Sequence, residues 1–522
     1  MWRAVRSWTA GSKRTIQAPM ALDAACRVHR NHSGLCQIGT AALVVLVAAG
    51  GGCSSDEKDD PNQSGAGTGG GSEPPAAGAE PTAGAGGAST ETFCPEGIDA
   101  SEQSAPPWDW VGIVGTGQSL AVGTTPVTSR TQPFNNLRLD IRDVEVPPWD
   151  PSDPALAMAP LVEPLHGMHD GYPSPYPDNL WGETPHSAMG NQLTHLVRCP
   201  DPSADFISVH TEVGESGQGI EALDKPAEDD DSTGETGRAY AATLFEAEAI
   251  TRLAAEDGKS YGIGAIVMTH GETDSGNSSY EDALLELWED YNADLTEITG
   301  QSESIPMYLS QQHAYPDSLG GRPLSSLVVW ELGVEHPGDF VCTGPKYQYP
   351  GHVKEDGVHL SATGYQLLGE KTAQVIYERM VLGHDWQPLQ PTNVERSGRI
   401  VTVHFNVPVP PLRWDEDLDS PAIDEWANGR GFELREGNTR LAIESVQIAG
   451  DAVELTAAEE LPAEDLVVGY ALSGQGQQLT GASFAVRWGQ LRDSDPFVGY
   501  TTGLPNPNYA VSFEMEVPAA AE

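Results

Sequence analysis

Positive charge is what this sequence has least of. It sets 28 Lys and Arg against 76 Asp and Glu, a formal charge of -48 over 522 residues. A field of that sign repels phosphate backbones, so it argues against nucleic acid as a partner and reads as a device for solubility. Cysteine is scarce too, at six residues, and no Cys or His spacing resembles a zinc site. A long apolar run is also missing. The stretch Ile38 to Ala49 has about a dozen residues, too short to span a bilayer comfortably. Aromatics are 7%, yet hydrophobic residues at 39% suffice for packed cores, and the length implies two or three of them.

What is present begins with a leader. Arg27 and Arg30 precede the Ile38–Ala49 run, and Gly50-Gly51-Gly52-Cys53 follows it. A basic flank, a short apolar core and small residues fit a signal peptide over 1–53, with Met20 as an alternative start. The junction resembles a bacterial lipoprotein signal, with Gly50 where leucine is usual. That resemblance implies a lipid on Cys53 and an exported protein held at the cell envelope, with secretion as the alternative. Residues 54–93 are mostly Gly, Ala, Pro and Ser and cannot bury a core. As a flexible tether of about 40 residues they would reach roughly 35 Å. Cys26 and Cys36 fall in the leader, which leaves Cys94, Cys199 and Cys342 for the folded part. Cys94 and Cys199 each precede an expected strand at one sheet edge, so they are the first choice for a disulfide.

Beyond the tether, short apolar runs alternate with helical patterns. Strands are expected at Trp110–Val114, from Asp205, at Gly262–Met268, from Ile305 and from Asp339. Leu284, Leu287, Trp288, Tyr291 and Leu295 recur at helical spacing between the third and fourth. A second helix ends at Gly258, and a third follows Thr363. Doubly buried strands separated by helices mean a parallel sheet in a three-layer α/β/α domain, placed at 94–385. From about Trp386 the pattern changes. Val401, Val403, Phe405 and Val407 alternate, a hairpin turns at Ala449-Gly450-Asp451, and Val511, Phe513, Met515 and Val517 alternate again. This predicts an all-β sandwich over 386–522.

Open parallel sheets do their chemistry beyond the carboxyl ends of the strands. There the first strand ends in Gly115-Thr116-Gly117-Gln118-Ser119, which presents one hydroxyl among glycines. A nucleophilic serine needs a base and a group to orient it. Asp356 and His359 are three residues apart at the same rim, after the last strand. Gly217 and Gly219 end the second strand and can offer backbone N–H groups to an oxyanion. The third runs into His270-Gly271-Glu272-Thr273-Asp274.

Together, Gly117-Gln118-Ser119, Gly217, His270-Gly271-Glu272-Thr273-Asp274 and Asp356-Gly357-Val358-His359 resemble the four blocks of SGNH (GDSL-like) hydrolases. Within that family they are nearest the carbohydrate acetylesterase branch, the sialate O-acetylesterase and plant-type acetyl xylan esterase group. The resemblance covers roughly residues 105 to 385. It implies a flavodoxin-like fold and hydrolysis of acetylated carbohydrate without metal or cofactor. It makes Ser119 the nucleophile, His359 the base and Asp356 its orienter. Ser119 and Gly217 N–H groups line the oxyanion hole, with Gly219 as the alternative to Gly217. The branch has glutamine where this chain has His270, so the third donor is His270 or else Thr273. Glu272 and Asp274 read as braces of their loop.

Three further features need a place. His166, His169 and His186 lie in a Pro-rich insertion and read as surface residues, while Tyr172, Tyr176 and Trp181 there could stack on sugar rings. Asp415, Asp417 and Asp419 alternate like half a calcium loop, but Ser420 and Trp426 stand where glycine and glutamate belong, so no metal is assigned. Competing functions are a lipid or thioester acyl hydrolase on the same site and a catalytically idle glycan-binding protein.

Overall fold

The computed structural model describes residues 93–519, apart from 96, 105, 124–125, 142–149, 166–181, 228–235, 317–322, 419–427, 473 and 476–483. The leader, Cys53 and residues 54–92 of the tether lie outside the described residues, as do His166, His169, Tyr172, Tyr176, Trp181 and Asp419.

Among the described residues, eight strands and six helices build the first part of the fold. The strands are β1 Trp110–Gly117, β2 Leu137–Asp140, β3 Ala157–Pro160, β4 Ile207–Gly214, β5 Tyr261–Thr269, β6 Met307–Gln311, β7 Ala314–Pro316 and β8 Phe340–Pro345. The helices are α1 Ser119–Val122, α2 His186–Arg198, α3 Arg238–Glu256, α4 Tyr280–Thr299, α5 Leu324–Glu335 and α6 Ala362–Ile376. Seven strands form one sheet in the order β3-β2-β4-β1-β5-β6-β8. Only the β2–β3 pair is antiparallel. Every residue of β1 is buried, as expected for a central strand covered on both faces. One face packs α3, α4 and α5 through Tyr240, Phe245, Leu284, Leu287, Tyr291 and Val329. The other packs α2 and the end of α6 through Met189, Leu193, Leu196, Ala373 and Ile376. This is a three-layer α/β/α domain.

The five strands read from the sequence are all there. The insertion between the first two holds β2 and β3, which four-residue length hid, and it ends in α2, which carries no strong start signal. His186 corrects the surface assignment. It is buried on α2, with Nε2 2.7 Å from Glu212 Oε2 and Nδ1 3.0 Å from His210 Nδ1. A methyl group on Gly115 would fall 2.1 Å from Glu212 Oε2 and 2.3 Å from His186 Nε2. Glycine in the middle of β1 is therefore required by space, not by conformation.

Two antiparallel four-stranded sheets follow. One contains Gln390–Ser397, Ile400–Asn406, Ile443–Ala449 and Ala452–Ala457; the other contains Phe432–Glu436, Thr439–Leu441, Leu466–Tyr470 and Phe513–Glu516. The expected hairpin turns at Gly450-Asp451, since Ala449 pairs with Ala452 and Gly450 takes φ +72°. Phe405 of the first sheet meets Phe432 and Phe513 of the second edge-on, which closes a sandwich core. That core is continuous with the α/β domain, where Trp330 of α5 packs on Phe513. Cys94 and Cys199 form the disulfide anticipated from their position, and Cys342 is free and buried.

One buried carboxyl makes a pH signature. Glu163 accepts bonds from Thr184 Oγ1 at 2.6 Å and Ser187 N at 3.3 Å. Burial, then repulsion from Glu183, raises its pKa from 4.5 to about 8. The folded protein keeps a proton there that the unfolded chain has released. The native state thus binds more protons between those two values, and the stabilisation from this group, complete at lower pH, is lost as pH rises through that window. The fall in Tm between about pH 5 and about pH 8 is expected to be smaller in Glu163→Gln than in wild type. Parallel Tm curves by scanning calorimetry would contradict this.

Candidate active site

Strand register sets the site. Gly117 lies opposite Gly214 on β4 and opposite Thr269 on β5. Ser119, Gly217 and His270 come one to three residues further on, so three loops leave the sheet at one level. At Gly117 φ is +144°, and a Cβ would sit 2.2 Å from the Thr269 carbonyl oxygen. Only glycine lets the chain turn that close to β5. The Gln118 carbonyl then accepts from Ala121 N at 2.7 Å and Val122 N at 3.2 Å, which starts α1. Leu120, Ala121 and Val122 are buried and anchor that turn, while Ser119 is only partly covered. As the first residue of α1, Ser119 has no carbonyl one turn earlier to take its N–H.

A second turn brings the base. Lys354 N donates to the His359 carbonyl at 2.7 Å, and Gly357 N donates to the Lys354 carbonyl at 2.9 Å, with Gly357 at φ +77°. Across this turn His359 Nε2 lies 2.8 Å from Ser119 Oγ, and Nδ1 lies 2.8 Å from Asp356 Oδ2. The other carboxylate oxygen accepts from Val358 N and His359 N, each at 2.9 Å. Burial works against the Asp356 charge, but the His359 ring bond and the two backbone bonds outweigh it and hold the carboxyl well below its ordinary range. An ionised Asp356 takes the Nδ1–H, which leaves Nε2 as an acceptor for the Ser119 hydroxyl. Alignment of hydroxyl, imidazole and carboxylate is what nucleophilic activation requires.

Gly217 sits at the exposed tip of the β4 loop with φ +73° and open space where a Cβ would be. Conformation, not crowding, calls for glycine there. Its loop is pinned by neighbours: Glu215 N donates to the Gly117 carbonyl at 2.9 Å, and Ile220 N donates to Asp274 Oδ2 at 2.8 Å. Gly219 stands deeper, against the Asp274 carboxylate.

His270 departs from its assignment as an oxyanion donor. The ring is buried, with Nε2 3.1 Å from the Gln218 carbonyl and Nδ1 3.1 Å from the Tyr280 hydroxyl. A carbonyl only accepts, so Nε2 carries the proton and Nδ1 accepts from Tyr280. Burial lowers the imidazole pKa, against the pull of Asp274, and favours this neutral form. Both nitrogens are thus spent inside the protein, and the ring braces the Gly217 loop. Thr273 is exposed, its hydroxyl 3.4 Å from the Gly217 carbonyl, a long bond from which it can turn away. Thr273→Val is therefore expected to lower kcat for an acetate ester about 10–10²-fold with KM little changed, as for an oxyanion donor. An unchanged kcat would remove Thr273 from that role.

Beneath these loops, Glu272, read as a loop brace, has a partner that sequence reading missed, Lys346. Glu272 and Lys346 are both buried, with Nζ 2.8 Å from Oε1. Lys346 directly follows β8, and a lysine at a strand end in so acidic a chain was the available signal. His313 is fully buried beside this pair, and burial, then Lys346, depresses its pKa to about 3. It is a neutral ring at the floor of the site.

Of the calcium-like run, Asp419, Ser420 and Trp426 lie outside the described residues. Asp415 accepts a short hydrogen bond from the Tyr509 hydroxyl. Among the described residues, Cys94, His195 and Cys199 are close enough to share an ion, but the two sulfurs are joined to each other.

No family model matches the chain, and no curated protein does. Solved structures similar to it include a carbohydrate acetylesterase from Xanthomonas citri, at 10% identity over 78% of this chain and 80% of that one, with a TM-score of 0.45. A protein from Arabidopsis thaliana is 17% identical over 52% of this chain and 99% of its own, with a TM-score of 0.36. The carbohydrate acetylesterase Est24 from Sinorhizobium meliloti is 13% identical over 51% and 99%, with a TM-score of 0.27.

Proposed function

We propose that the protein is an exported serine esterase, lipid-anchored at Cys53, that removes acetyl groups from acetylated polysaccharide or oligosaccharide. The observation that carries the chemistry is the unbroken line of bonds from Ser119 Oγ through His359 to Asp356. The acetyl and carbohydrate parts rest on the four-block resemblance.

In the proposed reaction, Ser119 Oγ attacks the ester carbonyl as His359 Nε2 takes its proton. Asp356 keeps its negative charge and stabilises the imidazolium. The N–H groups of Ser119 and Gly217, with the Thr273 hydroxyl, receive the oxyanion; each donor of this kind is worth about 10²–10³-fold. On collapse, the carbon–oxygen bond to the sugar breaks and His359 returns the proton to the departing alcohol. A water then attacks the acetyl-serine, His359 again takes and returns one proton, and acetate leaves with Ser119 restored. Acetate release from a panel of acetylated polysaccharides, wild type beside Ser119→Ala, tests the proposal. Release from polysaccharide by wild type alone supports it. Turnover of long-chain acyl or thioester substrates with none of acetylated sugar would replace it with the acyl-hydrolase reading.

A further inference from the structure

The strand Phe484–Arg487 belongs to the C-terminal part of the chain, yet it pairs antiparallel with β7, directly after the β6 end. Arg487 N donates to the His313 carbonyl at 2.9 Å. The Arg487 side chain is buried to 1% exposure, and its Nη1 donates to the Gln312 carbonyl at 2.6 Å and to Ser326 Oγ. Ser326 Oγ in turn donates to Gln312 Oε1. With its oxygen so fixed, the Gln312 amide presents Nε2 to the His270 carbonyl, where it makes a short bond. The next carbonyl, of Gly271, accepts from Ser325 Oγ at 2.8 Å. His270 then holds the Gln218 carbonyl beside Gly217.

From this chain of contacts we infer that Arg487 is a positioning residue for the oxyanion loop, acting from the second domain through Ser326 and Gln312 on His270 and so on Gly217. The inference rests on the reading of the site given above. It makes the β-domain part of the catalytic frame, not an appended module. Burying a guanidinium is costly unless its hydrogen bonds are used, and an apolar side chain would fill the same space at less cost. Two of the bonds that justify it here run to Gln312 and Ser326. An oxyanion donor works only when held within a few tenths of an ångström, so loosening this chain should act on the transition state and not on substrate binding.

The test uses the full-length protein. Arg487→Met is expected to lower kcat for a soluble acetate ester about 10-fold, with KM within about twofold of wild type. Arg487→Lys, which keeps a donor but not the fork, should recover part of that loss. In the double variant Arg487→Met with Gln312→Met, kcat should be no lower than in the slower single variant, because both break one chain. Should Arg487→Met fail to fold, Ser326→Ala, which deletes only the bridging hydroxyl, carries the same expectation. An unchanged kcat in folded Arg487→Met or Ser326→Ala overturns the positioning role while leaving the site reading intact, provided Ser119→Ala is inactive. Losses that multiply in the double variant also overturn it. Full activity in Ser119→Ala would instead overturn the site reading on which it rests.

Discussion

Ser119→Ala is expected to keep its Tm and lose turnover of a chromogenic acetate ester by at least about 10³-fold. The fold should not notice the change. Ser119 is the one partly exposed residue of α1, its neighbours Leu120 to Val122 do the packing, and α1 starts from the Gln118 carbonyl, not from the serine hydroxyl. The removed oxygen has one partner in view, His359 Nε2 at 2.8 Å. If Ser119 were only a turn residue, its loss would cost at most a few tenths of a kcal/mol to about 1 kcal/mol of stability and leave turnover alone. The two accounts therefore separate on a pair of measurements, Tm and kcat, in a single variant.

The second large effect is at the base. His359→Ala is expected to lower kcat about 10³–10⁴-fold, and Asp356→Asn to lower it by less. His359 moves the proton in both halves of the reaction, whereas Asp356 orients the ring and stabilises its cation. The Asp356 side chain is 46% exposed, so water can meet part of what an asparagine cannot. Asparagine can still accept from Val358 N and His359 N, and the turn should survive. The Asp356 carboxyl is held well below its ordinary range, so it stays ionised across the whole interval in which histidine titrates. Equal thermal stability with the reverse order of losses would mean that these two roles are misassigned.

Much of this site was legible in sequence because it depends on strand ends. Once five apolar runs are read as parallel strands, Ser119, Gly217, His270 and the Asp356–His359 turn must share one rim. Glycines at 117 and 217 are explained by close approach to Thr269 in one case and by positive φ in the other. What failed depends on contacts between distant segments. His270 looked like a donor because of where it stands, but its hydrogen-bonding capacity is decided by Gln218 and Tyr280, from two other elements. His186 looked exposed because Pro-rich sequence surrounds it; burial came from Glu212 and His210 on β4. No local pattern announces that Arg487 reaches β7, since a single arginine in a β-strand is ordinary until its partners are known.

The most direct measurement is peptide mass spectrometry after reaction with a fluorophosphonate, whose phosphorus is attacked by an activated serine and whose oxygen takes the oxyanion position. One adduct per chain is expected, on the peptide carrying Ser119, with its formation slowed strongly in His359→Ala. An adduct on another residue, or none while acetate-ester turnover continues, would contradict the assignment of Ser119 as the nucleophile.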